Sequence, residues 1–368
     1  MRVLLRSAGR TVGLEDGICI EPQGRFDLTV ELGSGELRPG LINAHDHLHR
    51  NHFPRLGAPP YPNAYAWGED LHRRWSREIA HASRLPVSEA LLFGAFKNLV
   101  AGVTTVVHHD RWRPEFDCDF PLNVPHLRFI NSLGLEPDIA AAQQHPDAPR
   151  GSPLCIHLAE GTDERAQSEV RNALALGLFN DRIVAVHAVG VSESDIATLA
   201  AHRVPIVWCP TSNAFLYGRT APPDLLTSGV PVLLGSDSLL SGGGTLLHEL
   251  RAARSLGYVP DQVLLDSIGR TAAQCIGRDA PSLDPGAPAD IVFLTRPLLE
   301  ASVQHVALVV VGGRPRYGNA AFHALFEMAG VPTESLRVHG AEKLIAAPLA
   351  TIARRAFALT PECERIVR

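Results

Sequence analysis

The 368-residue sequence reads as an α/β chain: a TIM-like (β/α)8 barrel with a small β-sandwich module built from both of its flanks. Three observations predict this. Apolar runs alternate with helical patterns from residue 154 to about 277, the rhythm of βαβ units on a parallel sheet. Imidazole and carboxylate side chains stand at the carboxyl ends of several runs, where a parallel barrel builds its active site. Short alternating segments before residue 39 and after residue 283 read as hairpins.

Residues 1–38 hold segments such as Asp27-Leu28-Thr29-Val30-Glu31-Leu32, broken by Gly-rich turns. The first buried strand covers 40–45, and a loop rich in aromatics runs from Tyr61 to Trp75. Ser88 to Ala101 carries apolar residues at helical spacing, with Ser88 as N-cap and Gly102 as the stop. Strand 103–107 then arrives at His108-His109-Asp110. Further on, strand 154–158 precedes helix 163–176, and strand 183–187 precedes helix 192–202. Strand 205–209 leads to a short turn near 222–228, and strand 231–236 to helices 245–256 and 261–277.

The stretch between Asp110 and Leu154 is shorter than the roughly 60 residues that two βα units require. The third and fourth units are therefore expected to be reduced, with strand candidates at 127–130 and 139–142. Residues 1–38 and 284–318 are expected to form the sandwich module, 39–283 the barrel, and 319–368 a helical accessory tail.

Composition excludes several classes. The net charge of −5 is mixed along the chain, unlike the basic footprint of a nucleic-acid binder. No apolar run reaches the roughly 18–20 residues of a membrane span, and the first residues are too short an apolar stretch for a signal peptide. The six cysteines are scattered without Cys-x-x-Cys spacing, as expected of small buried hydrophobes in a reducing compartment. These features predict a soluble, cytoplasmic protein with a small-molecule substrate and neither nucleic-acid nor membrane partners.

His45 and His47 lie two apart at a strand tip, so both imidazoles can face the barrel mouth. His157, with Glu160 three residues on, His187 and Asp237 end later strands. Histidines, a carboxylate and a spare glutamate are what a metal-activated water needs. His49, His52, His72, His81 and His202 are read as ordinary surface or core histidines. Gly242-Gly243-Gly244 reads as a loop over the site rather than a phosphate cradle. No P-loop or G-x-S-x-G signature occurs.

At this point the residues resemble the amidohydrolase superfamily, in its cytosine deaminase and triazine or chloro-hydrolase branch. The resemblance rests on Pro39-Gly40-Leu41-Ile42-Asn43-Ala44-His45-Asp46-His47, His157-x-x-Glu160, His187 and Gly235-Ser236-Asp237. Gly102-Val-Thr-Thr-Val, Cys209-Pro210-Thr211-Ser212-Asn213 and Pro285-Gly286-Ala-Pro-Ala289-Asp290 extend it over roughly 35–300.

The resemblance implies that His45, His47, His157 and Asp237 hold the metal, with Asp237 also contacting the attacking water. Glu160 would shuttle protons at the leaving nitrogen, and His187 would donate where negative charge develops. Trp67, His109 and Asn213 are candidate substrate contacts. Family members with two metals commonly bridge them through a lysine at the fourth strand. The chain's two lysines, Lys97 and Lys343, are not placed there, so one divalent ion is expected, Zn²⁺ with Fe²⁺ as the alternative.

The implied reaction is hydrolysis of a non-peptide carbon–nitrogen bond by metal-bound hydroxide. The expected form is deamination of a cyclic amidine-like or heteroaromatic substrate. Cyclic-amide hydrolysis, heteroaromatic dechlorination and a non-catalytic metal-binding barrel stay open, as does a homodimer.

Overall fold

The computed structural model describes residues 1–136, 148–149, 151–180 and 182–368. Strands β1 (Arg2–Ser7), β2 (Thr11–Glu15), β3 (Ile18–Ile20) and β4 (Leu28–Gly33) make one sheet, ordered β3-β2-β1-β4. Strand β5 (Glu36–Pro39) leaves it for a second sheet and delivers the chain to β6 (Leu41–Asp46).

The centre is a barrel-like wall of parallel strands. β6 pairs with β7 (Val103–His108). β8 (Arg128–Ile130), β9 (Leu154–Leu158), β10 (Ile183–His187), β11 (Ile206–Trp208) and β12 (Val232–Leu234) form a five-stranded sheet in chain order. Its far edge returns to the first strand, because the amides of Ser236 and Asp237 both donate to the His45 carbonyl at 3.1 Å.

Side chains alternate along these strands. Ile42, Val107, Phe129, Cys155, Val184, Val207 and Leu233 fill the interior. Leu41, Val103, Ile130, Ile156, Ala185 and Trp208 pack outward into the main core shared with the helices. Burial on both faces explains why the runs read as almost continuously apolar.

The short middle segment accounts for the reduced units. After β7 the chain makes a 3-10 turn (Pro114–Asp117) and then a single parallel bridge, Thr105 with Asn123. It reaches β8 with no α-helix between them. The candidate at 127–130 is therefore β8, and the candidate at 139–142 lies outside the described residues. No ladder joins Asn123 to β8 among the described residues, so the ring of strands is interrupted there.

Several expectations are corrected. The Tyr61–Trp75 segment is not a loop but holds a helix, Ala64–Arg74, whose first turn is capped by Asn63 Oδ1 accepting from Ala66 N at 2.9 Å. The tail is only partly helical. β13 (Ile291–Leu294), β14 (Val306–Val311) and β15 (Arg314–Asn319) are joined by β16 (Thr333–Val338) and β17 (Ala341–Ala346), in the order β16-β17-β15-β14-β13-β5.

His339 and Gly340 link the last two strands with positive φ at both turn positions, the two-residue hairpin geometry that matches strand twist. That His-Gly pair was the signal for the hairpin. Val3, Leu5, Val12 and Val30 of the first sheet share a core with Ile291, Phe293, Leu308 and Val310 of the second, which is a sandwich packing.

The helices that carry the site follow from local sequence. Ser192 and Asp195 form a capping box on Glu193–Ala201. The expected helices at 163–176 and 261–277 are each broken in two, as Glu164–Gln167 with Glu169–Ala175 and Asp261–Ser267 with Arg270–Cys275. The helix Val87–Leu99 is buried over most of its surface. A Cβ at Gly94 would collide with the Leu48 carbonyl, so the glycine lets this helix sit against the turn that follows His47. The cysteines are all unpaired, and among the described residues no helix is long and apolar enough to cross a membrane.

Candidate metal centre

Six side chains converge at the carboxyl end of the strand wall. His45 and His47 come from β6 and its end, His157 from β9, Glu160 from the turn after it, His187 from β10, and Asp237 from the turn after β12. Three of these strand ends place a non-glycine residue at positive φ: Ala159 (50°), His187 (75°) with Ala188 (48°), and Asp237 (52°). Such backbone is costly and persists where the surroundings over-determine it, commonly at functional sites.

The imidazole nitrogens are sorted by their hydrogen bonds. His157 Nδ1 donates to the Asn131 carbonyl at 2.6 Å, and His187 Nδ1 donates to Asn213 Oδ1 at 2.8 Å. Each neutral ring then turns an unprotonated Nε2 into the centre, the orientation by which a metal-binding histidine is held.

His157 Nε2 and His45 Nε2 face one another at 3.4 Å, while Asp237 Oδ1 stands 3.8 Å from His45 Nε2 and 3.9 Å from His47 Nε2. Four donors about 2.0–2.1 Å from a tetrahedral ion lie about 3.4 Å apart. The donor set, both in chemistry and in spacing, therefore fits a divalent cation. Two groups, His45–His157–His187 and His45–His47–Asp237, present ligand atoms within 4.8 Å of one another, all of them buried residues except the partly buried His157.

Electrostatics agree. Burial pushes the His45 and His47 rings well toward the neutral form and lowers His157 and His187 as well, and neighbouring histidines add to this for the first three of the four. Burial alone would raise Asp237, but His45, His187 and the hydroxyls of Ser212 and Ser241 outweigh it and hold the carboxyl well below its usual range. Ser212 and Ser241 donate to Oδ2 at 2.7 and 2.8 Å, while Oδ1 accepts the Ser238 amide at 2.7 Å and faces the histidines.

Glu160 stands apart from these donors. Its Oε1 lies 3.6 Å from His187 Nε2 and accepts the Tyr217 hydroxyl at 2.7 Å. Burial raises it to about 7, against the pull of His157 and Tyr217.

The remaining expectations divide. His109 lies within the cluster, its ring 4.1 Å from that of His157, with Nε2 donating to the Ile130 carbonyl at 3.0 Å. Asn213 is fully buried, holds His187 through Oδ1, and donates through Nδ2 to Thr220 at 3.2 Å. Trp67 spends its indole N–H on the Leu56 carbonyl at 3.0 Å and packs between two apolar clusters, with Tyr61 and Leu216 in one and Leu56 and Leu240 in the other.

His49 is not an isolated surface residue, since its Nε2 lies 3.1 Å from Asp110 Oδ2 beside His108. That second group is a poorer cradle. His108 Nδ1 accepts the Leu48 amide at 3.2 Å, so its other nitrogen carries the proton. A cavity of about 320 Å³ lined by Gly40, Thr104, Arg278 and Asp290 involves none of the site residues and lies at the opposite end of the strands.

Tyr217 went unread in the sequence, although it follows Asn213 by four positions and so shares its helix face. In the sequence Lys97 bears only on the number of metals. A charged residue inside an otherwise apolar helix was the signal that it has a buried partner.

The chain is similar to known proteins in sequence and in fold. The profile of the amidohydrolase family matches residues 150–316. A 5-methylthioadenosine/S-adenosylhomocysteine deaminase from Pelotomaculum thermopropionicum is 34% identical over 165 residues, 40% of this chain and 38% of that protein. An S-triazine hydrolase from Gordonia rubripertincta is 33% identical over 131 residues, 32% of this chain and 28% of that protein. The chain thus matches well under half the length of either relative. In fold, it resembles the crystal structure of a zinc-bound adenosine deaminase from Xanthomonas campestris, with a TM-score of 0.68 at 17% identity, over 99% of this chain and 98% of that one. That likeness supplies a TIM-barrel-like architecture, while residues 150–316 are similar to the amidohydrolase family and parts of the chain to deaminase and triazine-hydrolase relatives.

Proposed function

We propose that this chain is a metal-dependent aminohydrolase that releases ammonia from a ring amidine, of the kind carried by aminated purines. The observation that carries the reading is Glu160. It is a buried carboxyl within reach of His187 and Tyr217, close to a nitrogen and oxygen donor set yet outside it. A structural metal site closes its coordination and has no use for such a group.

A divalent cation held by His45, His47, His157 and Asp237, most simply a single Zn²⁺, would supply a Lewis acid that activates water. The chain's own residues do the rest. Glu160 takes a proton at Oε and returns it to the leaving nitrogen, work that suits a carboxyl raised to about 7. Tyr217 holds that carboxyl in place. Asn213 fixes the His187 ring, so His187 can donate toward developing charge only as the imidazolium and otherwise offers Nε2 as an acceptor or a fifth donor to the cation. Burial of the site excludes bulk water and strengthens these interactions.

The names of the relatives support an aminated purine nucleoside as the substrate class, and the S-triazine hydrolase supports an aminated or otherwise substituted triazine as a second. Both readings treat the architecture as a (β/α)8 barrel with its third unit worn down to the Asn123 bridge, working in the cytoplasm. The test is ammonia release from a panel of aminated purine nucleosides, pyrimidines, pterins and triazines, with metal content measured on the same preparation. Ammonia from one class names the substrate. About one cation per chain with no ammonia from any compound would move the assignment to cyclic-amide hydrolysis.

A further inference from the structure

We propose that Lys97 is a positioning residue for the metal centre, acting through the backbone of Asp237 and the side chain of Asp46. Lys97 and Asp46 are both fully buried, and their charges meet at 3.1 Å. All three ammonium protons have acceptors, because Lys97 Nζ also donates to the Asp237 carbonyl at 2.6 Å and to Asn51 Oδ1 at 2.8 Å.

The geometry links two ligand-bearing segments from behind. Strand alternation sends His45 and His47 to one face and Asp46, between them, to the other, where Lys97 waits on the helix Val87–Leu99. Asp237 sits at the adjoining strand end with φ of 52°, in the left-handed region that is uncommon outside glycine. Its carbonyl is held by Lys97, and its amide by the His45 carbonyl.

The rest of the network leaves Lys97 little freedom. Asn51 donates to Asp46 Oδ1 at 2.8 Å and receives the Leu239 amide at 3.2 Å. Asn98 donates to Asp46 Oδ2 at 2.7 Å, and Asn43 bridges Asn98 and Ser236 at 2.8 Å each. A buried ammonium whose acceptors are this completely arranged fixes one geometry and penalises others. The spacing between Asp237 and the His45–His47 pair is therefore set by Lys97, which touches neither cation nor substrate.

This inference rests on the metal-centre reading above. A buried ion pair can also be merely structural, and breaking one partner alone leaves an uncompensated charge that destabilises the chain by itself. The test therefore removes both charges. Lys97→Met, Asp46→Asn and the double variant are compared with the unaltered protein for thermal midpoint without metal, for the Zn²⁺ concentration that half-saturates the rise in that midpoint, and for kcat and KM.

The double variant is expected to recover most of the metal-free stability lost in Lys97→Met, because no lone charge remains. It should still need at least about 10-fold more Zn²⁺ and show kcat lowered about 10- to 100-fold with KM within about 3-fold. Asp46→Asn alone, which keeps the Lys97 bond to Asp237, should shift the Zn²⁺ requirement less than Lys97→Met does.

A double variant with the original Zn²⁺ requirement and kcat would overturn the proposal and leave the pair as a fold element only. Should the double variant not fold, Lys97→Arg, which keeps the charge but cannot meet three acceptors so placed, is judged by the same two quantities. An unaltered protein that responds to Zn²⁺ but turns over nothing would refute the aminohydrolase reading while the Zn²⁺ midpoints still decide Lys97. An unaltered protein with no response to Zn²⁺, Fe²⁺ or other divalent ions would overturn both.

Discussion

The Tyr217 hydroxyl donates a 2.7 Å hydrogen bond to Oε1 of Glu160, the same oxygen that lies 3.6 Å from His187 Nε2. One carboxyl oxygen is thus held between a phenol from one strand-end helix and an imidazole from the preceding strand. A donor in this place favours the ionised carboxylate, whereas burial favours the protonated form.

Tyr217→Phe removes the donor with little change in volume. We expect kcat to fall about 10-fold, on the order of 1.4 kcal/mol, with folding unchanged. Loss of the donor raises the Glu160 pKa further, so the acid limb of the kcat profile should move to higher pH. An unchanged limb would show that this hydroxyl does not tune Glu160.

Glu160→Gln and His157→Ala should fail in different ways. The first keeps every candidate metal donor and loses the proton carrier, so metal content should persist while kcat falls about 10²- to 10⁴-fold. The second should lose metal along with activity. Metal analysis of the two purified variants separates these outcomes, and a metal-free Glu160→Gln would place Glu160 among the ligands instead.

Asn213→Ala frees His187 Nδ1, which now donates to the Asn213 amide oxygen. The ring can then rotate or shift its proton to Nε2. A loss of about 10- to 100-fold in kcat or in metal affinity is expected, the usual cost of removing the group that orients a site histidine. Full activity and affinity in this variant would mean that packing alone orients the ring.

Glu249 offers a stability test away from the metal donors. It is fully buried, accepts the Thr211 amide at 3.0 Å, and burial raises it to about 7 against the pull of those Thr211 bonds. The unfolded chain titrates near 4.3, so between about pH 4.3 and 7 the folded state holds the extra proton. This contribution is fully present below pH 4.3 and is lost as pH rises through 7, at a slope of at most about 1.4 kcal/mol per pH unit. Glu249→Gln should therefore gain on the unaltered protein from about pH 5 to pH 7 in urea unfolding and level off above that. A constant difference across that range would place the Glu249 pKa near its ordinary value.

Much of the site was legible in the sequence because its signals are local. His45, His47, His157, His187 and Asp237 each end an apolar run, and strand period and strand end together fix the direction of a side chain. The run at 127–130, which is β8, was legible in the same way, and chain length showed that the stretch from Asp110 to Leu154 is short for two βα units. Two errors came from signals that were local but passed over. Asn63 begins a helix in a segment that looked like an aromatic loop, and His339-Gly340 turns a hairpin in a tail that looked helical.

The sequence by itself determined which residues could hold a cation, and that they would meet at one end of parallel strands. Only the tertiary structure decided the roles that depend on a partner distant in the chain. Lys97 finds Asp46 and the Asp237 carbonyl across 51 and 140 positions, Asn213 holds His187 across 26, and Tyr217 reaches Glu160 across 57. Periodicity records which face of an element is buried, but a hydrogen bond depends on which two buried faces meet. That is settled by the packing of helices on the strand wall, where donor and acceptor must coincide to within tenths of an ångström.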